Sequence, residues 1–531
     1  MKRISRRNFL KVAGVGAAAL GLAACGGSKS GSTATSGSAS SAAGSSTGSV
    51  NTAGFTVQYG SNPETLDPSL NSAVDGANTI ITIFEPLLLI NENNEVIGGQ
   101  AESWEASEDG LTWTFTMRDG LKWSDGTDLT AKDFEYSFKR MANPDTAAPY
   151  AATCLGMIDG FDAAQAGDTD ALNVKASDDG KTLTIVLAYP CSYFDKMAAF
   201  AAMSPVQQAT VEANGDSWCT SAETFVSNGP YMITDWTPSE RIVLTKNPNY
   251  VGGWDNSKIV SDTITLLLLE DSSAAFAAYN SGEAVLIKDV PTDEIPSLTK
   301  AEDGGDFYVD TILGTYYISM NLQHDAFKEA KVRKALALAI DRDYIANTIM
   351  QGTYSAASNL VGPGIVDENG YFYDNANGGS PYIADDYEAN LAEAKKLLEE
   401  AGYPNGEGYP TIEYSTNDAG YHVPLAEYLQ QAWGDLGITL TINKMEWSSF
   451  TPARRAGEYD VARNGWVMDY NDPSNMVEMF CTDNGNNDGK YSNPDFDAAI
   501  EASKVADAAE HFAQLHKACL LYTSPSPRDT R

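Results

Sequence analysis

Histidine and cysteine are the side chains most often used for catalysis and metal binding, and this sequence keeps them far apart. His324, His422, His511 and His516 follow no HExxH or equivalent zinc-binding spacing, and no two cysteines form a CxxC pair. The sequence also shows no GxSxG nucleophile elbow, phosphate loop or dinucleotide fingerprint. These patterns argue against an enzyme, and we expect neither a cofactor nor a metal.

Four cysteines fall in the part of the chain that we expect to fold: Cys154, Cys191, Cys219 and Cys481. Four cysteines allow three pairings. A bridge from Cys191 to Cys219 encloses the shortest loop, and an oxidising exterior would favour it. Free, buried thiols are the alternative.

The N-terminus has the layout of a secretory signal. Basic residues precede an apolar run from Val12 to Ala24, which is too short to cross a bilayer as a stable helix. The run ends in Leu22-Ala23-Ala24-Cys25-Gly26, which resembles the lipobox of bacterial lipoproteins, where the cysteine is acylated and becomes the first mature residue. We therefore expect a signal peptide over residues 1–24 and a lipid anchor at Cys25.

Two further features of this region concern the export route and the reach of the anchor. Ser5-Arg6-Arg7-Asn8-Phe9-Leu10-Lys11 resembles the twin-arginine export motif, with general secretion as the alternative. Residues 25–50 consist almost wholly of Gly, Ser, Ala and Thr, which form a flexible tether reaching about 25 to 30 Å. This predicts a body held at the extracytoplasmic face of a cell membrane. The long tether favours a Gram-positive source; a Gram-negative protein would sit in the periplasm.

Composition excludes one class of partner. The chain has 531 residues and 43% hydrophobic residues, enough for two or three domains with real cores. Its 72 acidic and 35 basic residues give a formal charge of −37, which repels nucleic acid and anionic lipid surfaces. We expect no nucleic-acid binding and read the acidity as a solvated surface that keeps an exported protein soluble.

Strand-like and helix-like patterns alternate from residue 51 onward. Large apolar residues alternate with threonine over 111–117, which predicts a half-buried strand. Thr130 and Asp133 form a capping pair ahead of a helix over 131–141. In the second half, helix stripes alternate with strands over 411–415 and 438–443, which predicts an α/β domain with ligands at the carboxyl ends of strands. The stripes are Val332, Leu336 and Ile340; Leu391, Ala394, Leu397 and Leu398; and Leu425, Leu429, Trp433 and Leu436.

Residues from about Gln58 to Ala518 resemble the extracellular solute-binding proteins of the oligopeptide and dipeptide importers. The resemblance rests on short motifs spread along the chain. These are Pro63–Pro68, Glu85–Leu88, Ala101–Trp104, Trp113–Phe115, Gly120–Gly126, Asn228–Tyr231, Asn247–Tyr250, Val332–Leu336 and Ala339–Arg342. The resemblance implies an α/β, three-domain fold of the periplasmic-binding-protein type, in its large peptide-binding class, with two lobes hinged around a buried ligand cleft.

The same resemblance implies a division of the chain. Residues 51–90 and 205–313 would form a discontinuous domain I, into which domain II, residues 91–204, is inserted. Domain III would span residues 314–518. The last stretch, 519–531, resembles one reading frame of a sequencing-library adapter. We therefore expect the native sequence to depart from this one after Ala518.

The segment Arg463–Pro473 is similar to the ligand segment of the oligopeptide branch. In that branch an aspartate at the position of Asp469 receives the α-ammonium of the peptide, and a buried carboxylate reads this group without regard to side chains. Arg454 and Arg463 match positions whose guanidinium groups meet the carboxylate of short peptides, a planar pairing that arginine makes better than lysine.

Five further positions complete the implied site. Tyr316 and Tyr317, with Asn321 after them, match a hinge strand where an extended peptide adds its backbone as a further strand. Gly465 belongs to the ligand segment, and Trp466 would form the apolar wall. Some oligopeptide binders carry bridging cysteines at the positions of Gly314 and Val467, which are both absent here; their joint absence suggests a dispensable bridge.

We therefore expect a monomeric lipoprotein that captures oligopeptides and hands them to the permease subunits of an ABC importer. The nearest alternative is a binder of another solute with the same fold, such as a dipeptide, a nickel complex or an oligosaccharide. A peptide-sensing receptor is a second alternative. A lipoprotein hydrolase is a third, which the scarcity of histidine disfavours.

Overall fold

The strands and helices are known over residues 53–523, the part of the chain that the computed structural model describes, apart from gaps at 94, 192, 300–305, 358, 368, 376–382, 384–385, 471 and 505–507. The expected signal peptide, Cys25 and the whole of the expected tether lie outside the described residues. The strands are β1 (Phe55–Gln58), β2 (Leu88–Ile90), β3 (Val96–Gly98), β4 (Ala101–Ala106), β5 (Thr112–Met117), β6 (Val174–Ala176), β7 (Thr182–Val186), β8 (Tyr231–Thr237), β9 (Arg241–Lys246), β10 (Thr263–Leu267), β11 (Gly314–Met320), β12 (Val366–Asp367), β13 (Gly370–Tyr371), β14 (Ile412–Asn417), β15 (Leu440–Met445) and β16 (Val461–Val467).

Helices of nine or more residues carry their own labels. They are α1 (Val74–Ile83), α2 (Ala131–Ala142), α3 (Ser272–Ser281), α4 (Ala330–Leu338), α5 (Tyr387–Glu400), α6 (His422–Gly434), α7 (Trp447–Ala456), α8 (Pro494–Lys504) and α9 (Ala508–Thr523). Shorter α-helical segments span Ala151–Leu155, Phe161–Gln165, Phe194–Met197, Gln208–Asn214, Ile295–Leu298, Arg342–Tyr344, Phe372–Asn375 and Ser474–Val477.

Three four-stranded sheets organise these elements. The first has the order β1-β10-β9-β8, with β1 parallel to β10. The second, β4-β5-β7-β6, is antiparallel throughout. The third, β11-β16-β14-β15, is mixed, because β14 runs parallel to β15 and β16 while β11 runs antiparallel to β16. The strands of the first sheet come from expected domain I (the first segment), those of the second sheet from domain II (the second segment) and those of the third sheet from domain III (the third segment). The exact domain boundaries stay predictions.

Local sequence signals account for several elements. Thr130 and Asp133 form a capping box at the start of α2, in which the Thr130 amide donates to Asp133 Oδ2 at 2.8 Å. The predicted helix over 131–141 is therefore confirmed. In the third segment, α6 connects β14 to the parallel strand β15. These three elements form the β-α-β unit that the alternating pattern predicted. Both strands end about two residues later than predicted, a usual error of pattern reading.

The first two segments share one continuous hydrophobic core, which joins both of their sheets. Asp67 is fully buried between them and pairs with Arg140 of α2, with Nη2 at 2.6 Å from Oδ2 and Nη1 at 3.2 Å from Oδ1. The indole of Trp218 and the amide of Ser69 also donate to this carboxylate. The motif around Asp67 is thus scaffold that fixes domain II on domain I.

The third segment has separate cores. One packs α4, α5 and α6 around Tyr414 and Trp433 against one face of the third sheet. Another packs the region around Phe480 with α8 and α9. Trp466 packs both against the core around Phe480 and against the core of the first two segments, and Tyr470 also packs against the latter. The molecule is thus two lobes with side chains shared across the boundary.

Candidate functional site

Asp469 lies just beyond the end of β16, facing the other lobe. Its Oδ2 accepts from the hydroxyl of Tyr150 at 3.1 Å and from Asn475 Nδ2 at 3.2 Å. The Asp469 amide donates to Asn475 Oδ1 at 3.0 Å, which fixes the turn. Among the described residues no cation lies within ion-pair distance of this carboxylate. Burial raises its pKa to about 6, so it is mostly ionised at neutral pH, and the site can receive an ammonium group.

Trp466 forms the wall beside Asp469. Its indole Nε1 donates to Asn475 Oδ1 at 3.0 Å, so one asparagine orients both residues. Its ring lies 5.8 Å from the ring of Tyr150. Tyr150 comes from domain II and is only 5% exposed. Trp466 and Tyr150 therefore build an apolar wall with a single carboxylate at its end.

Arg463 presents the opposite charge on the other face of β16. Its Nε donates to Asn417 Oδ1 at 2.6 Å, and its guanidinium lies 4.6 Å from the ring centre of Trp447. Within the described part of the chain, no carboxylate lies at ion-pair distance. Burial lowers the pKa of Arg463 from its ordinary value, yet arginine stays charged at neutral pH. A buried cation without a counter-ion is suited to a ligand carboxylate.

Arg454 is already paired within the protein. Its Nε donates to Asp488 Oδ2 at 2.8 Å, and the two side chains are only 11% and 6% exposed. The same Asp488 oxygen accepts from Asn464 at 3.1 Å, and Arg454 Nη1 donates to the backbone carbonyl of Arg463 at 3.4 Å. Arg454 thus supports the strand that carries Arg463. The two arginines, expected to share one role, differ in this respect.

Tyr316 and Tyr317 lie on opposite faces of β11. Tyr316 is opposite Gly465 in the ladder and shares a face with Arg463. Tyr317 instead packs against Phe480, with ring centres 6.0 Å apart, and belongs to the core around α8 and α9. Gly465 is exposed, and a side chain added there would meet nothing closer than 3.6 Å. The face of the sheet at Gly465 is therefore open.

The side chain of Asn321, a position that the resemblance assigns to the site, is bonded within the protein. Its Nδ2 donates to the carbonyls of Gly457 at 3.0 Å and Tyr459 at 3.1 Å, while its Oδ1 accepts from the amide of Gln323. The side chain is 6% exposed and fully engaged with backbone groups beyond the end of β11. The side chain therefore holds the backbone in place, and a contact between Asn321 and a ligand stays a prediction.

The structure does not join Cys191 to Cys219: both thiols are free and buried, which is the alternative to the predicted bridge. Cys219 lies 3.7 Å from the Thr65 hydroxyl, in domain I beside Asp67. Cys191 faces Tyr193 in domain II. Burial raises both pKa values to about 11, which keeps the thiols protonated and unreactive. By contrast, Gly314 and Val467 stand directly opposite each other in the β11–β16 ladder, as bridging positions should.

Sequence reasoning missed an aromatic group around Arg463. His422 Nδ1 lies 3.1 Å from the Tyr316 hydroxyl, and its ring stacks on Tyr316 with centres 5.7 Å apart. Tyr421 packs against the same ring. Burial, and secondarily the charge of Arg463, hold the pKa of His422 well below its usual range. Their position in the sequence could have predicted this group, because Tyr421 and His422 follow the carboxyl end of β14, where α/β proteins bind ligands.

Several contacts join the two lobes across the cleft. Besides Tyr150 and Asp469, the rings of Tyr193 and Tyr470 stack with centres 5.6 Å apart. Arg455 Nη1 donates to Glu64 Oε1 at 2.7 Å. These contacts link residues from distant parts of the chain, so the lobes are closed on each other.

The described part of the chain contains neither a candidate membrane span nor a candidate metal cluster. None of the described helices combines the length and apolar character needed to cross a membrane. No group of three or more histidine, cysteine, aspartate or glutamate side chains in the described part is placed to hold a metal ion.

Comparisons with known proteins agree with this architecture. Residues 95–488 match the profile of the bacterial extracellular solute-binding proteins, family 5, and residues 3–23 match that of the twin-arginine translocation signal. The periplasmic oligopeptide-binding protein OppA of Salmonella typhimurium is 36% identical over 455 residues, covering 84% of this chain and 81% of OppA. The structure of Haemophilus influenzae OppA in complex with the peptide RPPGFSPFR superposes with a TM-score of 0.81 at 29% identity, covering 89% of this chain and 91% of that one.

A third relative bears on the conformation. The murein tripeptide binding protein MppA of Escherichia coli superposes with a TM-score of 0.81 at 30% identity, covering 89% of this chain and 91% of MppA. The unliganded open form of MppA superposes with a TM-score of only 0.55 at the same identity, covering 89% of this chain and 90% of MppA. The lobes of the present structure are therefore arranged unlike that open form, in agreement with the contacts across the cleft. The fold, the motif series and these matches place the chain in the bacterial extracellular solute-binding proteins of family 5.

Proposed function

We propose that this protein captures oligopeptides outside the cytoplasm by their charged ends and delivers them to an ABC importer. The observation that carries the proposal is two uncompensated charges on one short stretch of chain, Arg463 in β16 and Asp469 just beyond its end. Asp469 has no cation within ion-pair distance among the described residues, and Arg463 has no carboxylate. Isolated buried charges are costly, so a ligand that carries both an ammonium and a carboxylate would relieve both sites.

The main chain of the peptide has a place between these charges. Among the described strands, β14 pairs with β16 only at Val461 and Ala462, so an extended ligand could pair with the following residues of β16 as an added strand. Trp466 and Tyr150 would cover its apolar side, and His422 with Tyr421 would surround the carboxylate beside Arg463. Side-chain identity is read weakly by such a site, because its charges address groups that all free peptides share.

Capture and delivery require no covalent step. Export would follow the N-terminal signal, and acylation at Cys25 with the tether over 25–50 would keep the body near a membrane partner. Closure around a peptide would present the importer with a loaded form, so the anchor gives proximity and closure gives selectivity. We propose a non-enzymatic, monomeric lipoprotein on this basis.

Calorimetric titration of the mature protein with a tripeptide and its N-acetylated counterpart tests the role of Asp469. Removal of one partner of a buried charge pair costs about 2 to 5 kcal/mol, so acetylation should weaken binding by roughly thirtyfold or more. Asp469→Asn should bind both peptides equally weakly. Asp293→Asn, an exposed change of the same charge, is the matched control. Equal affinity of the two peptides for the unaltered protein would refute the proposed role, and no binding of either would favour another solute.

A further inference from the structure

The guanidinium of Arg463 is held along one edge and open along the other. Its Nε donates to Asn417 Oδ1 at 2.6 Å, and its carbon lies 4.6 Å from the ring centre of Trp447 and 5.3 Å from that of Phe450. Its Nη1 and Nη2 atoms make no hydrogen bond to any described residue. These two nitrogens can take both oxygens of a carboxylate. The group that holds Nε therefore decides where this open edge points.

Asn417 is itself held by Glu270, a residue of the opposite lobe. Asn417 is the last residue of β14, and its side chain is buried. Its Nδ2 donates to Glu270 Oε1 at 3.4 Å. Glu270 follows β10 in the first segment, where Gln58 Nε2 holds the chain by donating to the carbonyl of Leu269 at 2.9 Å. One asparagine thus joins the cation of the third segment to a carboxylate of the first.

Both ends of this bridge select the same orientation of the amide. Arg463 Nε requires an acceptor and the Glu270 carboxylate requires a donor, so the Asn417 oxygen must face the arginine. The reversed amide would set two donors against each other at one end and two acceptors at the other. Burial raises the pKa of Glu270, and the Asn417 amide partly offsets that rise as a donor to the ionised form. Without Glu270, the buried Nδ2 would lose its partner, and one of the two constraints on the amide would be gone.

We propose that Glu270 is a positioning residue for recognition of the peptide C-terminus: it fixes the Asn417 amide and thereby turns the open edge of Arg463 toward the ligand carboxylate. The inference rests on the proposed function, because it requires that Arg463 meets that carboxylate. Glu270 would make no contact with the peptide. It also lies beyond ion-pair distance from Arg463, so it orients the cation without neutralising it.

The expected consequence is selectivity for a free C-terminus. A free carboxylate can accept from both Nη atoms of Arg463, whereas a C-terminal amide presents one oxygen and an NH2 group that is itself a donor. This difference requires that the open edge be aimed correctly, which the Glu270–Asn417 contact provides. A residue of one lobe thus takes part in reading a group that the other lobe binds.

Calorimetric titration with a tripeptide and its C-amidated counterpart tests the proposal, because the ratio of the two dissociation constants reports recognition of the carboxylate. Glu270→Ala should lower this ratio by about three- to tenfold, the effect of losing one hydrogen bond beside a charged group. Glu270→Gln keeps an acceptor for Asn417 and should hold the ratio within about twofold of that of the unaltered protein. Glu283→Ala removes an exposed carboxylate of the same segment and is the matched control.

Nuclear magnetic resonance of protein labelled with nitrogen-15 at arginine gives a second readout, which needs no peptide. The Nε–H signal of Arg463, identified by its loss in Arg463→Met, should move in Glu270→Ala and keep its position in Glu270→Gln. A signal that stays in place in Glu270→Ala would overturn the proposal.

The titrations separate this role from a merely structural one. A variant that only loosened the fold or the contact between the lobes would weaken both peptides alike and leave the ratio unchanged. An unchanged ratio in Glu270→Ala would therefore overturn the proposal, as would an equal loss in Glu270→Gln, which would place the effect in the charge of Glu270. Failure of the unaltered protein to bind either peptide would overturn the proposed function and this inference with it, whereas peptide binding with an unchanged ratio overturns this inference alone.

Discussion

The affinity for peptide should depend on pH through the ionisation of Asp469. Burial raises the pKa of this carboxyl to about 6 in the ligand-free structure. A bound ammonium group would favour the ionised form and lower that pKa, so binding releases a proton when Asp469 starts protonated. Affinity is then fully present above about pH 6 and is lost as the pH falls through this value.

The magnitude follows from the fraction of ionised carboxylate. At pH 5, one unit below the pKa, about one tenth of the molecules carry the charge, so the dissociation constant should rise about tenfold relative to pH 7. A further unit should give another factor of about ten. On the alkaline side, the peptide amine loses its proton near pH 8, which closes the window from above.

Calorimetric titration of a tripeptide from pH 4 to 9, in buffers of different ionisation enthalpy, measures both the affinity and the proton release. Glu478 is a second group to control, because burial raises its pKa to about 7 and it is electrostatically coupled to Asp469. The Asp469→Asn variant retains Glu478. Any dependence of affinity on pH that is lost in this variant therefore belongs to Asp469. A constant affinity between pH 7 and pH 5 in the unaltered protein would refute the reasoning.

The remaining predictions concern single contacts. In calorimetric titrations, the unaltered protein should bind a peptide with a free C-terminus at least tenfold more tightly than the same peptide with an amidated C-terminus. Arg463→Met should erase this difference in affinity. Arg454→Met should lower the free energy of unfolding by about 3 to 5 kcal/mol, because it leaves Asp488 buried and unpaired, which denaturant titration measures. Tyr150→Phe should weaken binding by about fivefold through loss of one hydrogen bond to Asp469, while N-acetylated peptide is unaffected. A reducing agent should leave the thermal midpoint unchanged, because the Cys191 and Cys219 thiols are already free; a fall of several degrees would show a disulfide.

Local patterns and motifs predicted the scaffold well. The capping pair at Thr130 and Asp133 encodes its helix through backbone hydrogen bonds within one turn, so the sequence alone specifies it. The strand over Thr112–Met117 shows its buried face by simple alternation. Strand ends in the third segment were less accurate, because the last residues are fixed by pairing with a neighbour that the local pattern does not contain.

The site was harder to predict, because its properties depend on partners distant in the chain. The pairing of Arg454 with Asp488 separates its role from that of Arg463, and no spacing reveals it. Asn321 resembles a ligand contact in sequence, yet the carbonyls of Gly457 and Tyr459 occupy it. Tyr150 lies more than three hundred positions before Asp469 in the chain, so only the closed fold brings them together.

The core shared by the first two segments sets the cooperative unit of unfolding. The sheet of domain II and the sheet of domain I bury their side chains in one cluster, and Arg140 adds an ion pair to Asp67 across the boundary. Removal of either segment would expose much of that cluster to water, and removal of the segment that carries Arg140 would also leave the buried carboxylate of Asp67 without its cation. Residues 91–204, the expected domain II, are therefore not a module that can be excised or exchanged between relatives by itself.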